Sequence, residues 1–572
     1  MKASDYIAES LAAQGVTHAF ELVGGMITHL LDSIGRKGKT RLVSMHHEQA
    51  AAFAADAYGR MTGIPGVAMA TSGPGATNLL TGIGGAHFDS SPAVFLTGQV
   101  NRDEQKGSRA IRQLGFQETD IVAMAAPITK LARLVNDPEE LPSALEQAFA
   151  LACSGRPGPV LLDIPMDVQR CPIDAPIPPA SRRAPKEPDP RAIAEVLDAL
   201  AAAEKPLILV GGGLRASGAV ESLRALLHHV QLPVVHSLMA VDALPYDHAL
   251  RVGLIGSYGN RWANQAIGRS DLLLVLGSRL DVRQTGARVD SFKENRTIIH
   301  VDCEPGELNN RVTGCLAIEA DLRPFVAALA LAASKRPILD RPDWLREIDA
   351  ARIDWPDTAE LRDVPGINPN EFLHQLSSGS PLASAFVADV GQHQMWAAQS
   401  LELGADQRFL TSGGMGAMGF ALPAAIGAAC ARPGRPVVMI AGDGGFQLNL
   451  QELQTIARNG LPIKMVVIDN GCHGMVRQFQ QSYFEERYQS TLWGYSAPDF
   501  AAVARAYRIP ATTVERPEDL SLALNFLGRD PEAPALLVVK VDTFANAYPK
   551  LAFGRPITEM EPQAVPLGME AT

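Results

Sequence analysis

A chain of 572 residues has room for several domains of about 100–200 residues each. Its composition, 47% hydrophobic and 20% charged, is ordinary for a soluble protein, with Pro and Gly spread out rather than gathered into low-complexity tracts. A net charge of −11 speaks against a nucleic-acid partner.

The N-terminal MKASDYIAESLAAQG carries acids early and no long apolar run, so it does not read as a signal peptide. The first segment, about 1–170, alternates helical patterns with the strand-like RLVSM, GVAMATSG, AVFLTGQ and PVLLDIP. Its GKT at 38–40 lacks the glycine and the strand that a phosphate loop needs. Residues 171–190 are proline-rich and charged, as in a linker. The second segment, about 190–335, holds the strands PLILVGGG, DLLLVLGSRLD and TIIHVD. Its GGGLRASG at 211–218 misses the GxGxxG register and is set aside as a nucleotide loop. A polar linker to about 369 is expected next. The third segment, about 366–545, runs from the helix NEFLHQL to the strand LLVVKVD, and a tail at 546–572 contains YPKLAFGRPITEM. This alternation predicts an α/β fold of three doubly wound parallel-sheet domains, with the first and third as candidates for the same fold. No stretch reaches the roughly 18 apolar residues of a membrane helix. Six cysteines without CxxC spacing predict neither disulfides nor a zinc site and fit a reducing cytoplasm.

The stretch GDGGFQLNLQELQTIARNGLPIKMVVIDNG, 442–471, carries the chemistry. VVMIAG and KMVVID are strands, and Leu448, Leu450, Leu453 and Ile456 predict a single helix between them, ended by Asn459-Gly460. Such a unit is right-handed and parallel, so Asp443 and Asn470 meet at the edge where open α/β sheets bind ligands. Two hard oxygen ligands suit Mg²⁺ that shares its shell with phosphate. Spacing alone leaves a second reading open, an Asp helix cap and an Asn turn.

GDG, 24 residues, then Asp-Asn resembles the diphosphate motif of thiamine diphosphate (ThDP) enzymes. The family's usual ending is Asn-Asn; Asp469 departs from it, while the metal-binding second amide is kept. The resemblance implies that Asp443, Asn470 and the backbone carbonyl of Cys472 hold Mg²⁺, with Gly442, Gly444, Gly445 and Met475 around the diphosphate. SMHHEQAAAFAADAYGR (44–60) resembles the family's glutamate helix and makes Glu48 the acid facing the aminopyrimidine ring. A carboxylate there favours the imino tautomer, which takes the proton from the thiazolium carbon. Glu48 is therefore expected to be buried. TSGGMGAMGFALPAAIGA (411–428) resembles the loop that grips the pyrimidine, with the Gly416 carbonyl on its amino group and Met418 beneath the cofactor. The family carries its glutamate and its diphosphate on different domains, usually of different subunits. This implies a homodimer or homotetramer. His46, His47 and His473 are read as structural.

Over nearly the whole chain the closest resemblance is to the acetohydroxyacid (acetolactate) synthase family. It is carried by GFQETD (115–120), GRPGPVLLDIP (155–165), DVGQHQMWAAQ (389–399), GMVRQFQ (474–480) and the tail. It places Phe116 and Gln117 near the reacting carbons, and Gly24 and Gly25 in LVGG where the family has YPGG. LGSRLDVRQTG (276–286) resembles a stretch that binds a structural FAD, through Arg279 and Asp281. Arg283 falls where the family binds the carboxylate of the second keto acid. The implied reaction decarboxylates pyruvate and transfers its two-carbon unit to a second pyruvate, giving acetolactate for branched-chain amino acid biosynthesis. Met166 replaces a family lysine and Phe479 a tryptophan, both on the acceptor side. This keeps open another ketone acceptor, such as a keto-sugar, or decarboxylase or oxidase chemistry. A regulatory subunit is neither implied nor excluded.

Overall fold

The protein, seen in a computed structural model, is described over residues 1–180, 185–336 and 338–567. Residues 181–184 of the first expected linker, 337 of the second and 568–572 of the tail therefore lie outside the described residues.

Three six-stranded parallel sheets form the scaffold. The first is built from β1 (His18–Glu21), β2 (Arg41–Ser44), β3 (Gly66–Ala70), β4 (Ala93–Gln99), β5 (Leu131–Leu134) and β6 (Pro159–Pro165). The second uses β7 (Pro206–Val210), β8 (Val234–His236), β9 (Arg251–Leu254), β10 (Leu272–Leu276), β11 (Thr297–Asp302) and β12 (Leu316–Glu319). The third uses β13 (Ala385–Ala388), β14 (Arg408–Thr411), β15 (Val437–Gly442), β16 (Ile463–Asp469), β17 (Ala511–Val514) and β18 (Ala535–Lys540). Central strands such as β3, β4, β6, β15 and β16 are buried at every position, which is why they read as continuous apolar runs and not as alternating ones.

Strand order gives each sheet its use. The first runs β2-β1-β3-β4-β6-β5 and the third β14-β13-β15-β16-β18-β17, the same pattern twice. The expected kinship of the first and third segments is thus visible in topology, although residue identity hides it. The second runs β12-β11-β10-β7-β8-β9, the order of dinucleotide-binding sheets, with its switch point between β10 and β7.

Two expectations are corrected. The helix predicted between β15 and β16 is broken into Asp443–Phe446, a 3₁₀ stretch Gln447–Glu452 and Leu453–Asn459. Asn449 leaves helical geometry because its side chain donates to the Gly419 carbonyl at 2.8 Å and to Gln49 at 3.3 Å. Leu448 is consequently exposed rather than buried. The second polar linker also contains a helix, Pro342–Asp354, which buries Trp344 and Ile348.

The helix Glu48–Thr62 from the first sheet's layer lies against Ala421–Ala431 from the third. Their interface is made of Ala and Gly, so the backbones approach closely. A Cβ on Gly427 would stand 2.0 Å from the Ala54 carbonyl oxygen. Phe53 meets Phe420 edge to face at 5.4 Å beside this crossing. Gly427→Ala is expected to force the helices apart and lose about 1–3 kcal/mol. A thermal unfolding midpoint equal to that of the parent would show that the crossing tolerates the added methyl.

Candidate active site

The C-terminal edge of the third sheet opens into a cavity lined by Gly391, His393, Gly416, Met418, Gly442–Gly445, Asn470, Cys472, His473 and Met475. Here Asp443 directly follows β15 and Asn470 directly follows β16, on the same edge of the sheet, as the crossover rule requires. Asp443 is buried and accepts a hydrogen bond from the Tyr495 hydroxyl at 2.9 Å. Burial, and then the nearby charge of Asp469, push its carboxyl up to about 7. Asp469 itself pairs with Lys540 at 2.6 Å. The Asn470 oxygen accepts from the Cys472 N–H at 3.2 Å. Burial raises the Cys472 thiol to about 11, and its Sγ lies 3.6 Å from the Thr543 carbonyl, so this sulfur is no thiolate ligand. Among the described residues no cluster of three or more His, Cys, Asp or Glu could hold a metal. One carboxylate and one amide oxygen fit a hard cation that takes its remaining ligands from elsewhere.

Backbone close to this cavity is kept free of side chains. A Cβ on Gly442 would meet the His393 ring at 2.8 Å, and one on Gly444 would meet His473 at 2.7 Å. His393 accepts the Gly442 N–H through Nε2, and burial holds it down at about 3, so its ring is neutral. Gly416 has φ +67°, a conformation that suits glycine. Buried Asp389, pushed up to about 6 by burial, accepts the N–H groups of Val390, Gly419 and Ala421 and so fixes the turn that carries Gly416 and Met418.

A second group assembles at the corresponding edge of the first sheet. Glu48 is buried at the start of its helix, where His47 caps the Gln49 N–H, and it accepts from Asn78 at 2.9 Å. The turn at 73–75 presses on it: a Cβ on Gly75 would lie 3.2 Å from Glu48 Oε1, and one on Gly73 would lie 2.9 Å from Gln117. Gln117 is itself in the left-handed region at φ +64°. Gly24 abuts Thr71, and the following turn starts at Gly25. Met166 donates its N–H to Gln99, whose side chain reaches Thr119 at 2.7 Å. Phe116 is 80% exposed. None of these residues lines the third-sheet cavity, whose lining begins at Val390. The Glu48 group and the Asp443 cavity thus share no lining residue. Phe479 is also half-exposed, in an aromatic group with Tyr483 and Phe484.

Another cavity, of about 170 Å³, sits at the switch point of the second sheet. Arg279, Asp281 and Arg283 line it, and Asp281 caps the short helix that carries Arg283. Gly212, Gly213, Ala216 and Ser217 of the GGGLRASG stretch also line the cavity. A Cβ on Gly213 would meet the Gly277 Cα at 2.9 Å, so bare backbone forms this wall. Asp302, at the end of β11, and residues 413–414 of the third segment complete it.

Residues 1–124 match the thiamine pyrophosphate enzyme N-terminal TPP binding domain, 193–329 the central domain and 389–539 the C-terminal TPP binding domain. The acetolactate synthase isozyme 2 large subunit of Escherichia coli K12 is 39% identical over 568 residues, covering 98% of this chain and 99% of that protein. The acetolactate synthase large subunit of Parasynechococcus marenigrum is 39% identical, covering 96% and 89%. Acetolactate synthase 2 of Nicotiana tabacum is 37% identical, covering 97% and 84%. The chain belongs to the acetolactate synthase family of thiamine pyrophosphate enzymes.

As a member of that family the chain is a ThDP-dependent transferase. No helix among the described residues is long and apolar enough to cross a membrane. Sequence reasoning missed Asp389, His393 and Asp302, because their roles arise from contacts between distant segments. The strand-Gly-Gly-Gly-helix order at 206–216 was the one local signal for the second sheet's cavity.

The raised Asp443 carboxyl has a pH signature. Its native value of about 7 exceeds the ordinary 3.8, so with no cation present it costs stability as pH rises from about 4 to about 7. Cation binding needs the ionised form and strengthens across the same window, with a plateau above it. Stabilisation by Mg²⁺ with ThDP, read by thermal unfolding, should therefore grow from pH 5 to pH 8 in the parent. Asp443→Asn should flatten that growth; a variant as pH-sensitive as the parent would exclude Asp443 as the titrating group.

Proposed function

We propose that the protein decarboxylates pyruvate and transfers the two-carbon unit to a second pyruvate, forming acetolactate. The single observation that carries this reading is the third-sheet cavity, where Asp443 and Asn470 close adjacent strands over glycine-lined backbone. The full-length similarity to proteins named acetolactate synthase supports the choice of reaction.

In this reading Asp443, Asn470 and the Cys472 carbonyl hold Mg²⁺, and Gly442, Gly444, Gly445 and Met475 leave room for the diphosphate. ThDP, when bound, supplies the carbanion chemistry by which a 2-keto acid loses CO₂ and its remainder joins a ketone. Glu48, buried and held by Asn78, accepts or shares a proton at a pyrimidine ring nitrogen. The Gly416 carbonyl takes the amino group, and Met418 fills the space beneath. Gln117 and Phe116 cover the reacting carbons, and Arg283 meets the acceptor carboxylate as a guanidinium fork. Met166 and Phe479 shape the acceptor side, and Gly24 and Gly25 bring backbone to the cofactor. Because Glu48 is not among the residues that line the Asp443 cavity, we take the working unit to be at least a homodimer with shared sites. The domains are assigned as 1–170, 190–335 and 366–545, with a tail at 546–572. The protein works in the cytoplasm.

FAD is proposed for the cavity at the second sheet's switch point, with a structural role. Its support is the strand order, the bare-glycine wall, and Arg279 and Asp281 on the lining. Several relatives are named large subunits, which supports a separate regulatory chain as a partner.

The test is to incubate the protein with pyruvate, ThDP, Mg²⁺ and FAD and to measure CO₂, acetolactate and bound flavin together. One CO₂ and one acetolactate per two pyruvates is expected, with a flavin spectrum after gel filtration. Glu48→Gln should lower the rate at least about 100-fold, the scale of a lost proton-transfer group. CO₂ without acetolactate would move the reaction to another acceptor, keto-sugars first. Full activity in Glu48→Gln would remove that residue's role.

A further inference from the structure

An amide that serves a cation has an orientation problem. Its two ends are nearly the same shape, but only the oxygen is a ligand, and a flip presents an NH₂ donor instead. The neighbours of Asn470 resolve this. Its Nδ2 donates to Gln392 Oε1 at 3.0 Å, and both side chains are buried. Its Oδ1 accepts the Cys472 N–H at 3.2 Å and keeps a second lone pair.

Gln392 faces the same ambiguity one step further out. Its Nε2 donates to the Ala545 carbonyl at 2.9 Å and to Gln478 Oε1 at 3.3 Å. Gln478 in turn accepts the Ala547 N–H at 2.9 Å and donates to the Ala547 carbonyl at 3.3 Å. Backbone groups cannot exchange donor for acceptor. Three amides in series, anchored on Ala545 and Ala547, therefore have one consistent orientation. Flipping Asn470 would set its NH₂ against the Cys472 N–H and its oxygen against Gln392 Oε1. The chain also leaves room for this contact: a Cβ on Gly474 would stand 1.9 Å from Gln392 Oε1 and 2.7 Å from Asn470 Nδ2.

We propose that Gln392 is a positioning residue that turns the Asn470 oxygen toward the metal, with its own orientation set by the backbone of Ala545 and Ala547. This rests on the reading of Asn470 as a metal ligand. Groups that orient a ligand commonly change metal affinity by about 10–100-fold when removed.

The test is a Mn²⁺ titration of the full-length protein with ThDP, free Mn²⁺ being followed by electron paramagnetic resonance. Gln392→Met should weaken Mn²⁺ binding at least about 10-fold. In an Asn470→Asp background the same substitution should change it less than about 3-fold, because a carboxylate presents an oxygen whichever way it turns. Equal losses in the two backgrounds would reduce Gln392 to general support of the fold and overturn the proposal. So would an unchanged affinity in Gln392→Met while Asn470→Ala weakens binding. Parent-like affinity in Asn470→Ala would overturn the metal reading and this inference with it.

Discussion

A buried carboxylate without a basic partner governs the third sheet's ligand edge. Among the described residues Asp443 forms no ion pair, and its neighbours are a tyrosine hydroxyl and a second acid. That acid, Asp469, pairs with Lys540 at 2.6 Å, so this basic side chain is engaged on Asp469. A carboxylate left in this state holds its proton up to about pH 7, and a cation brought in from outside favours its ionised form. The surrounding glycines and the neutral His393 follow from the same constraint. They keep side-chain bulk and competing positive charge away from the space where that cation and its anionic ligand belong.

The two related sheets divide the remaining work. The first offers a buried acid at its edge, the third a glycine-lined cavity with Asp443 and Asn470, and the two are joined through Glu48–Thr62 and Ala421–Ala431. The join needs Gly427 and a run of alanines because the helices touch at backbone distance.

Much of the fold was legible because its cause is local. Buried strands give continuous apolar runs, and GDG followed by Asp-Asn marks two strand ends whatever surrounds them. The failures are instructive for the opposite reason. Leu448, Leu450, Leu453 and Ile456 have helical spacing, yet Asn449 is drawn out of the helix by Gly419 and Gln49, partners about 30 and 400 positions away. The glycines at 211–213 have the wrong register for a GxGxxG loop, yet Gly212 and Gly213 line a cavity whose wall Gly277, just after β10, completes. Asp389 and Gln392 stand in a familiar stretch, but their work is to fix other residues' backbone and amides. Only the folded contacts reveal such work.

The same distinction separates the two halves of the proposed reaction. Asp443, Asn470 and Glu48, assigned to the cofactor, are buried and hydrogen-bonded, and the partly buried turn at Gly416 is fixed by Asp389. Groups assigned to the acceptor are not fully buried. Phe116 and Phe479 are exposed, and Met166 is partly buried, its backbone N–H donated to the Gln99 carbonyl. Buried, mutually fixed groups resist substitution because each change strands a partner. Exposed apolar groups can change with little effect on the fold, and a hydrophobic wall discriminates among similar ligands only weakly. Loss of the lysine at 166 leaves Arg283 as the guanidinium available to an acceptor carboxylate in the proposed site. Acceptor choice is therefore the property this scaffold can alter most freely while its cofactor chemistry stays in place.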